Sequence, residues 1–225
     1  TPPFSRKLRL RPSIVALFAL FTVPVFLVIV ATTYVSNEAI ARANADRLIA
    51  RFTREAIDNI QNMFNPIKSL IRSAAMVGTQ QPDFYSDNRS LKYLLSVLLH
   101  SDKLVSIYIG LQDGTFRQAR QISPSVAVQG SLPPPETRYA YRWIDPPGNT
   151  KPIDHYTFLD EEHTPIGRSE QATSYDPRAR LWYMQTDQDK TLIITDPEVF
   201  AALSLIGFTI SAPIFANGKV AGVAA

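Results

Sequence analysis

The longest uniform pattern in the chain is an uncharged, apolar run near its N-terminus. No charged residue occurs between Pro12 and Asn37, and Ile14 to Val35 is almost wholly apolar. About 22 residues, at roughly 1.5 Å per residue, cross the ~30 Å hydrocarbon core of a bilayer. The apolar part of a cleaved signal peptide is shorter, about 7–15 residues, and ends in a small-residue cleavage site that is poor here. The run therefore predicts a transmembrane helix over 13–35, after a basic tail over 1–12.

The charges that flank this run predict its orientation. The first charge after the run is Glu38, whereas the residues before it include four basic ones, Arg6, Lys7, Arg9 and Arg11. The positive-inside rule then places the N-terminus in the cytoplasm and the rest of the chain outside. We expect a bacterial inner-membrane protein with a single N-terminal span and a periplasmic domain.

A helical pattern continues directly from the membrane run, from Ser36 to Met76. Apolar residues recur every three or four positions, at Ile49, Phe52, Ala56, Ile60, Met63, Ile67 and Leu70. A stripe of this period packs on its own domain, pairs with a second copy of the helix, or does both. We predict a long signalling and dimerisation helix over 36–78, hence a homodimer, with Asn65-Pro66 ending or bending its straight part.

Beyond this helix the pattern changes from helical to alternating. A second helix fits Arg89 to His100, with Asp87 or Asn88 as its cap. Val105, Ile107 and Ile109 then alternate with other residues before an Asp113-Gly114 turn, which is typical of a hairpin. The remaining predicted strands are Tyr139 to Trp143, His155 to Leu159, Thr191 to Thr195, Gly207 to Phe215 and Lys219 to Ala225. The pattern predicts an α+β domain over 79–225.

Composition narrows the possible functions. The net charge is +3, and the four basic residues of the N-terminal tail account for it, which argues against a nucleic-acid partner. The chain has no cysteine, and its three histidines lack metal-ligand spacing. The acidic cluster Asp160-Glu161-Glu162 fits a solvated hairpin tip. We therefore predict no catalytic residue, no metal site and no cofactor.

One motif carries a family resemblance. The run from Tyr175 to Tyr183, Tyr-Asp-Pro-Arg-Ala-Arg-Leu-Trp-Tyr, resembles the signature of double Cache sensor domains, which are extracellular PAS-like ligand-binding modules. The Ile107 to Phe116 hairpin and the Ser211 to Val223 segment are similar to other parts of the same family. The resemblance covers about Glu38 to Ala225. It implies a PAS-like antiparallel sheet after the long helix, in a membrane-distal sensor lobe that is truncated at its C-terminus.

The motif also has a chemical interpretation. In an extended segment, Arg180 and Trp182 point the same way, and a guanidinium fork suits a carboxylate. Trp182 and Tyr183 offer flat apolar walls, and the alternating aromatic residues of the Tyr139 to Trp143 strand could complete a pocket. Alternatively, Asp176 or Arg178 ties a loop to the sheet. The predicted ligand-binding residues are Arg180, Trp182, Tyr183, Tyr175, Asp176, Arg178, Tyr141 and Trp143.

The resemblance departs from one subset of the family. In amino-acid-binding Cache domains a tyrosine and an aspartate follow the Trp-Tyr pair, but this region here reads Pro197-Glu198-Val199-Phe200. The resemblance therefore does not support amino-acid binding. The expected partner is a small anionic metabolite, such as an organic acid.

The resemblance extends to the sensor halves of alphaproteobacterial adenylate/guanylate cyclase receptors. It implies that this part of the chain is not an enzyme but the input region of a receptor that makes cAMP or cGMP. The alternatives are the sensor of a histidine kinase, a chemoreceptor or a cyclic-di-GMP enzyme, and a membrane-anchored interaction domain with no small ligand. Because the sequence ends inside an apolar run, Val220 to Ala225, we expect a further lobe after it.

Overall fold

A long helix, α1 (Leu10–Gln80), begins the chain in the computed structural model, which describes residues 10–146, 148, 151–200 and 205–225. The chain divides into two compact units, residues 1–61 and 62–225. In the described part of the first unit, the stretch Ile14–Tyr34 has a mean hydropathy of 2.9 and is long and apolar enough to cross a membrane.

Helix α1 continues through Asn65-Pro66 to Gln80, close to the end of the helix predicted over 36–78. A proline inside a helix removes one backbone hydrogen bond and crowds the preceding turn. The turns that follow bury Ile71, Ala74 and Ala75 in the core of the second unit. This burial keeps the last turns helical in spite of Pro66.

The second unit is built around one antiparallel sheet, which confirms the α+β class. A 3-10 turn (Phe84–Ser86) and helix α2 (Ser90–Leu98) precede strands β1 (Ser106–Leu111), β2 (Phe116–Gln121), β3 (Tyr139–Ile144), β4 (Ile153–Leu159) and β5 (Pro165–Ala172). A second 3-10 turn (Pro177–Ala179) and helix α3 (Leu181–Asp189) lead to β6 (Ile193–Ile194), β7 (Glu198–Phe200), β8 (Leu205–Gly207), β9 (Ile210–Ala216) and β10 (Lys219–Ala224). The sheet has the order β5-β4-β3-β2-β1-β10-β9-β6, and β7 pairs separately with β8.

The two faces of this sheet have different coverings. On the face that we call the helix face, Ile107, Ile109 and Ala119 share a core with α1 and α2. Because strand residues alternate, Tyr108, Phe116 and their cross-strand partners lie on the opposite face, which we call the second face. There Phe116 belongs to a separate core with Trp182 and Tyr183 of α3.

Of the strand predictions, one hairpin is confirmed, one strand is wrong at its start, and one strand was missed. The Asp113-Gly114 hairpin is confirmed: β1 pairs with β2, Gly114 has φ 94°, and Asp113 Oδ1 accepts a hydrogen bond from the Thr115 amide at 2.8 Å. The predicted strand from Gly207 to Phe215 is wrong at its start, because β8 and β9 are separate and belong to different sheets. Strand β5 was missed, since its Arg-Ser-Glu-Gln stretch forms a polar edge without apolar alternation.

Candidate functional site: arginines and aromatic rings on the second face

The segment before α3 lies directly on the second face of the sheet. Gly110 makes this approach possible, because a Cβ there would lie 2.8 Å from Pro177 Cβ and 3.0 Å from Trp182 Cη2. The side chain of Asp176 accepts a hydrogen bond from the Arg178 amide at 2.9 Å and so caps the 3-10 turn. Because Gly110 has no side chain, Pro177 and Trp182 pack directly on the backbone of β1.

Asp176 and Arg178 fix this segment in place. The Arg178 guanidinium donates to both carboxylate oxygens of Asp176, and its Nη1 donates to the Gln112 carbonyl at 3.0 Å. The hydrogen bonds from Arg178 lower the pKa of Asp176 below its ordinary value. These contacts fit the alternative in which the two residues tie a loop to the sheet.

The predicted extended path of the motif is wrong at Trp182. Arg180 has extended backbone angles, φ −92° and ψ 144°, but α3 begins at the next residue. Trp182, Tyr183 and Thr186 are buried, at a helical spacing, and the Thr186 hydroxyl lies 2.7 Å from Ser211 Oγ. Helix formation turns Trp182 into the core, where its ring centre lies 5.0 Å from that of Tyr108, whereas Arg180 stays exposed.

Tyr175 connects the motif with the sheet. Its ring centre lies 5.0 Å from that of Phe116, 4.5 Å from the Arg142 guanidinium carbon and 5.5 Å from that of Arg180. Cations this close to an aromatic ring are attracted by its quadrupole. Burial raises the pKa of Tyr175, and the two arginines oppose that rise. The structure therefore brings Tyr175, Arg180 and Trp182 together around one group of rings.

Sequence reasoning missed Arg142 and Asp154, which lie beside this group. Arg142 Nε and Nη2 donate to the Asp154 carboxylate at 2.9–3.1 Å, and both residues are largely buried. Burial alone would lower the pKa of Arg142, but the hydrogen bonds to Asp154 raise it above its ordinary value. The sequence did contain a signal for Arg142. Alternate residues of a strand face opposite sides, so Arg142 must face away from its neighbours Tyr141 and Trp143.

The structure does not bring Tyr141 and Trp143 to this site. Both lie on the helix face, where Tyr141 pairs with Ala119 and packs against the core below α1 and α2. Trp143 stacks on His155, with ring centres 4.9 Å apart. An alternating strand cannot present Arg142 and these two neighbours to one pocket.

A short hydrogen-bond chain borders the site on the other side. The Tyr108 hydroxyl donates to Thr209 Oγ1 at 3.1 Å, and the Thr209 hydroxyl donates to Glu198 Oε1 at 3.1 Å. Tyr108 and Thr209 also line a mainly apolar cavity of about 320 Å³ beside the Met63 to Ile71 part of α1. Glu198, in the segment where the sequence differs from the amino-acid-binding Cache subset, is therefore connected to strand β1 through Thr209 and Tyr108.

Two further observations concern the chemistry of the site. Among the described residues, the Tyr183 hydroxyl is buried without a hydrogen-bond partner, and burial raises its pKa to about 12. The described part of the chain contains no group of three His, Cys, Asp or Glu residues that could hold a metal ion. Guanidinium and phenol groups of the kind gathered here are hydrogen-bond donors that suit anions.

The chain is similar to a curated protein and to solved ligand-binding domains of chemoreceptors. No family model matches the chain. The chain is 23% identical over 206 residues to adenylate cyclase 1 of Rhizobium meliloti (strain 1021), a match that covers 88% of this chain and 31% of that protein. The chain thus spans about a third of the length of this curated relative.

Solved structures of chemoreceptor ligand-binding domains are also similar, each over 74% of this chain. They are those of Campylobacter jejuni Tlp3 with 4-methylisoleucine (13% identity, TM-score 0.42, 51% of that chain), Pseudomonas fluorescens CtaA with L-isoleucine (20%, 0.40, 49%) and Pseudomonas aeruginosa PctB with L-Gln (19%, 0.38, 48%). The chain spans about half the length of each.

Proposed function

We propose that this chain is the ligand-sensing region of a membrane-anchored signalling receptor. The observation that carries the proposal is the exposed guanidinium of Arg180, whose carbon lies 5.5 Å from the centre of the Tyr175 ring on the second face. An arginine that lies beside a half-buried aromatic ring, and whose guanidinium forms no hydrogen bond with a described residue, suits a small carboxylate. The proposed ligand is a small organic anion.

In this proposal the motif residues have two different roles, ligand contact and positioning. Arg180 and Tyr175 contact the ligand, Trp182 supports the site from the core through its contact with the Tyr108 ring, and the hydroxyl of Tyr183, which has no partner among the described residues, is a further donor. Asp176 and Arg178 position the segment through their ion pair. We leave Tyr141 and Trp143 out of the proposed site, because both lie on the helix face.

The membrane arrangement is part of the same proposal. The apolar stretch Ile14–Tyr34 crosses the inner membrane, residues 1–12 are cytoplasmic, and the domain over 79–225 lies in the periplasm. The exposed part of the stripe on the helix predicted over 36–78, which includes Phe52 and Ile60, pairs two copies of the chain. Ligand binding then shifts the dimer and moves the helix that enters the membrane.

We further propose that the receptor's output is cyclic-nucleotide synthesis. The support is the 23% identity to an adenylate cyclase over nearly the whole of this chain. The test is to express the whole gene product in a bacterial host without its own cyclases and to measure cAMP and cGMP. Production supports the cyclase; its absence, with protein present in the membrane, moves the output to a kinase, a chemoreceptor or a cyclic-di-GMP enzyme.

The sensing role has its own experiment. Thermal melts of the chain in lipid nanodiscs, run against a panel of small organic acids, should reveal a ligand that raises the melting temperature. At 100 times the dissociation constant the stabilisation is about 2.7 kcal/mol. Arg180→Ala should abolish the shift, and the helix-face variant Trp143→Ala should keep it. A shift that survives Arg180→Ala would contradict the proposed site.

A second candidate, an anchored interaction domain, rests on exposed apolar side chains of the β7–β8 hairpin. Val199 is 70% exposed and Ile206 76% exposed, which is unusual for paired strands of a free surface. If this hairpin binds another protein or copy, Ile206→Ser should change the assembly state and leave ligand shifts intact. An assembly state that stays the same in sedimentation would remove this candidate.

A further inference from the structure

A gap in the large sheet lies in line with strand β10, between β1 and β9. Ala224 of β10 pairs with Ile109 and with Ala212, whereas β1 reaches past this point to Ser106 and β9 to Ile210. Neighbouring strands lie about 4.8 Å apart, so two strands that flank a third are about 9.6 Å apart. The gap is the mainly apolar cavity of about 320 Å³ beside α1, and it has the width of one strand.

The wall that β1 forms turns main-chain groups toward the gap. The Val105 carbonyl accepts a hydrogen bond from the Gln121 amide on β2. On the other side of β1, Tyr108 exchanges two main-chain hydrogen bonds with Ala225, at 2.7 and 2.8 Å. Main-chain groups of successive residues point to alternate sides of a strand, so the N–H and C=O of Ser106 point into the gap. Among the described strands, none pairs with Ser106 on that side.

Strand β9 forms the opposite wall in the same way. The Thr195 amide donates to the Thr209 carbonyl at 2.9 Å on the β6 side, and Ile210 lies opposite Ile194. By the same alternation, the N–H and C=O of Ile210 point into the gap, although Ile210 is only 6% exposed. Buried main-chain groups nearly always have a hydrogen-bond partner. In the described part of the chain, no strand provides one for Ile210 on this side.

The floor of the gap is apolar. Phe64, Ile67 and Ile71 of α1 line it on the helix face of the sheet. Ala224 belongs to the core on this face, and Ala225 belongs to the core on the second face. Because side chains alternate along a strand, the next side chain in line faces α1.

From these walls and this floor we infer that the gap binds one extended polypeptide strand, antiparallel to β1 and β9. The occupant is polypeptide that runs on from β10, since the strand register passes into the gap without a turn. Its main chain pairs with Ser106 and Ile210, and its first side chain is apolar and packs on α1. A small apolar molecule of this volume covers the floor but leaves the main-chain groups of both walls unpaired.

A strand in this position connects two parts of the sensor region. On the helix face it contacts α1, and on the second face it lies beside Tyr108, whose ring centre is 5.0 Å from that of Trp182. A displacement of Trp182 therefore reaches α1 and the polypeptide beyond β10 through one strand. Neither wall contains Arg180, so this strand site is separate from the proposed ligand site.

The experiment compares the 225-residue chain in lipid nanodiscs with two lengthened forms of it. One form carries Val-Thr-Val after Ala225 and the other Gly-Ser-Gly, and both end in the same Gly-Ser tail. Hydrogen exchange, followed by mass spectrometry, should slow at least tenfold at Ser106 and Ile210 in the Val-Thr-Val form only. The melting temperature of this form should also rise, by about 2 °C or more.

A charge on the floor of the gap should remove this gain. Ile67→Asp changes the floor, and the matched control Met184→Asp changes an exposed apolar residue of α3. The Val-Thr-Val form should lose its higher melting temperature with Ile67→Asp and keep it with Met184→Asp. If Ile67→Asp does not fold, exchange at Ser106 and Ile210 in the two lengthened forms decides, because it needs no substitution.

Three results would overturn the inference. Equal exchange and equal melting temperatures for the two lengthened forms would show that the gap takes no strand. Protection of the Ser106 and Ile210 amides in the 225-residue chain itself would show that they have partners elsewhere. If the free peptide acetyl-Val-Thr-Val-amide protects these amides and the attached sequence does not, the occupant is a separate chain and not polypeptide in line with β10.

Discussion

The guanidinium carbon of Arg142 lies 4.5 Å from the centre of the Tyr175 ring. This contact joins strand β3 to the segment that carries the Arg-x-Trp-Tyr motif, across 32 residues of intervening sequence. It depends on strand parity, because Arg142 faces the motif only if its neighbours Tyr141 and Trp143 face the helices. Arg142, and not Tyr141 or Trp143, therefore lies on the face that carries the candidate site.

The Arg142–Asp154 ion pair should be important for the stability of the second face. Removing one partner of a buried pair leaves the other charge uncompensated. We expect Arg142→Ala to lower the free energy of unfolding by about 3–5 kcal/mol, measured by urea unfolding followed by tryptophan fluorescence. The double variant Arg142→Met/Asp154→Leu leaves neither partner of the pair uncompensated and should recover part of the loss, but not all of it, because it also removes the attraction of Asp154 for the buried Arg120. A cost below about 1 kcal/mol for the single variant would show that the pair behaves as a surface salt bridge.

Gly110 should be required for the close packing of the motif on the sheet. An alanine methyl there would lie 2.8 Å from Pro177 Cβ and 3.0 Å from Trp182 Cη2, so the segment must move away. We expect Gly110→Ala to cost about 1–3 kcal/mol and to weaken binding of the anionic ligand. Gly148→Ala is the control, because nothing lies within 4 Å of a Cβ at that position. Equal melting temperatures for the two variants would contradict the close approach.

Much of the fold could be predicted from local patterns. The apolar run, the helical stripe and the Asp113-Gly114 hairpin each carry a strong periodic or turn signal, and the last of these is confirmed. Strand β5 carries no such signal, because an edge strand with a polar surface lacks alternation. The continuation of α1 through Pro66 follows the helical stripe that predicts a helix over 36–78, and burial of Ile71 offsets the local cost of the proline.

The candidate site could be predicted only in part, for a related reason. The motif marks Arg180 and Tyr175, but the helical start at Leu181 depends on burying Trp182 and Tyr183 against the sheet. Long-range pairs such as Arg142 with Asp154 need the register of β3 on β4, which no short stretch of sequence specifies. Residues that distant strands contribute to the candidate site could therefore be identified only from the folded structure.

The cap at Asp176 predicts a pH dependence. Hydrogen bonds from Arg178 place the pKa of Asp176 below the ordinary value of 3.8. A carboxylate whose pKa is lowered by folding stabilises the fold above its unfolded pKa, and this contribution is lost as the pH falls through the folded pKa. The melting temperature of the parent should therefore exceed that of Asp176→Asn at pH 7, and the difference should shrink below pH 3.8.

The control for this prediction is Asp189→Asn, an exposed change at the end of α3. It should leave the melting temperature almost unaltered at both ends of the pH range. A difference between the parent and Asp176→Asn that is constant with pH would mean that the carboxylate's charge is not what stabilises the turn.

The two buried tyrosines beside Trp182 should respond oppositely to loss of the hydroxyl. Tyr183 has no partner for its hydroxyl in the described part of the chain, whereas Tyr108 donates to Thr209. An unpaired buried hydroxyl costs about 1–3 kcal/mol and a paired one contributes about 1 kcal/mol. Without ligand, Tyr183→Phe should therefore unfold at the same or a higher urea concentration than the parent, and Tyr108→Phe at a lower one. If Tyr183 donates to the ligand, Tyr183→Phe should also bind the anion more weakly. A loss of stability in Tyr183→Phe as large as that in Tyr108→Phe would show that its hydroxyl has a partner in the unliganded protein.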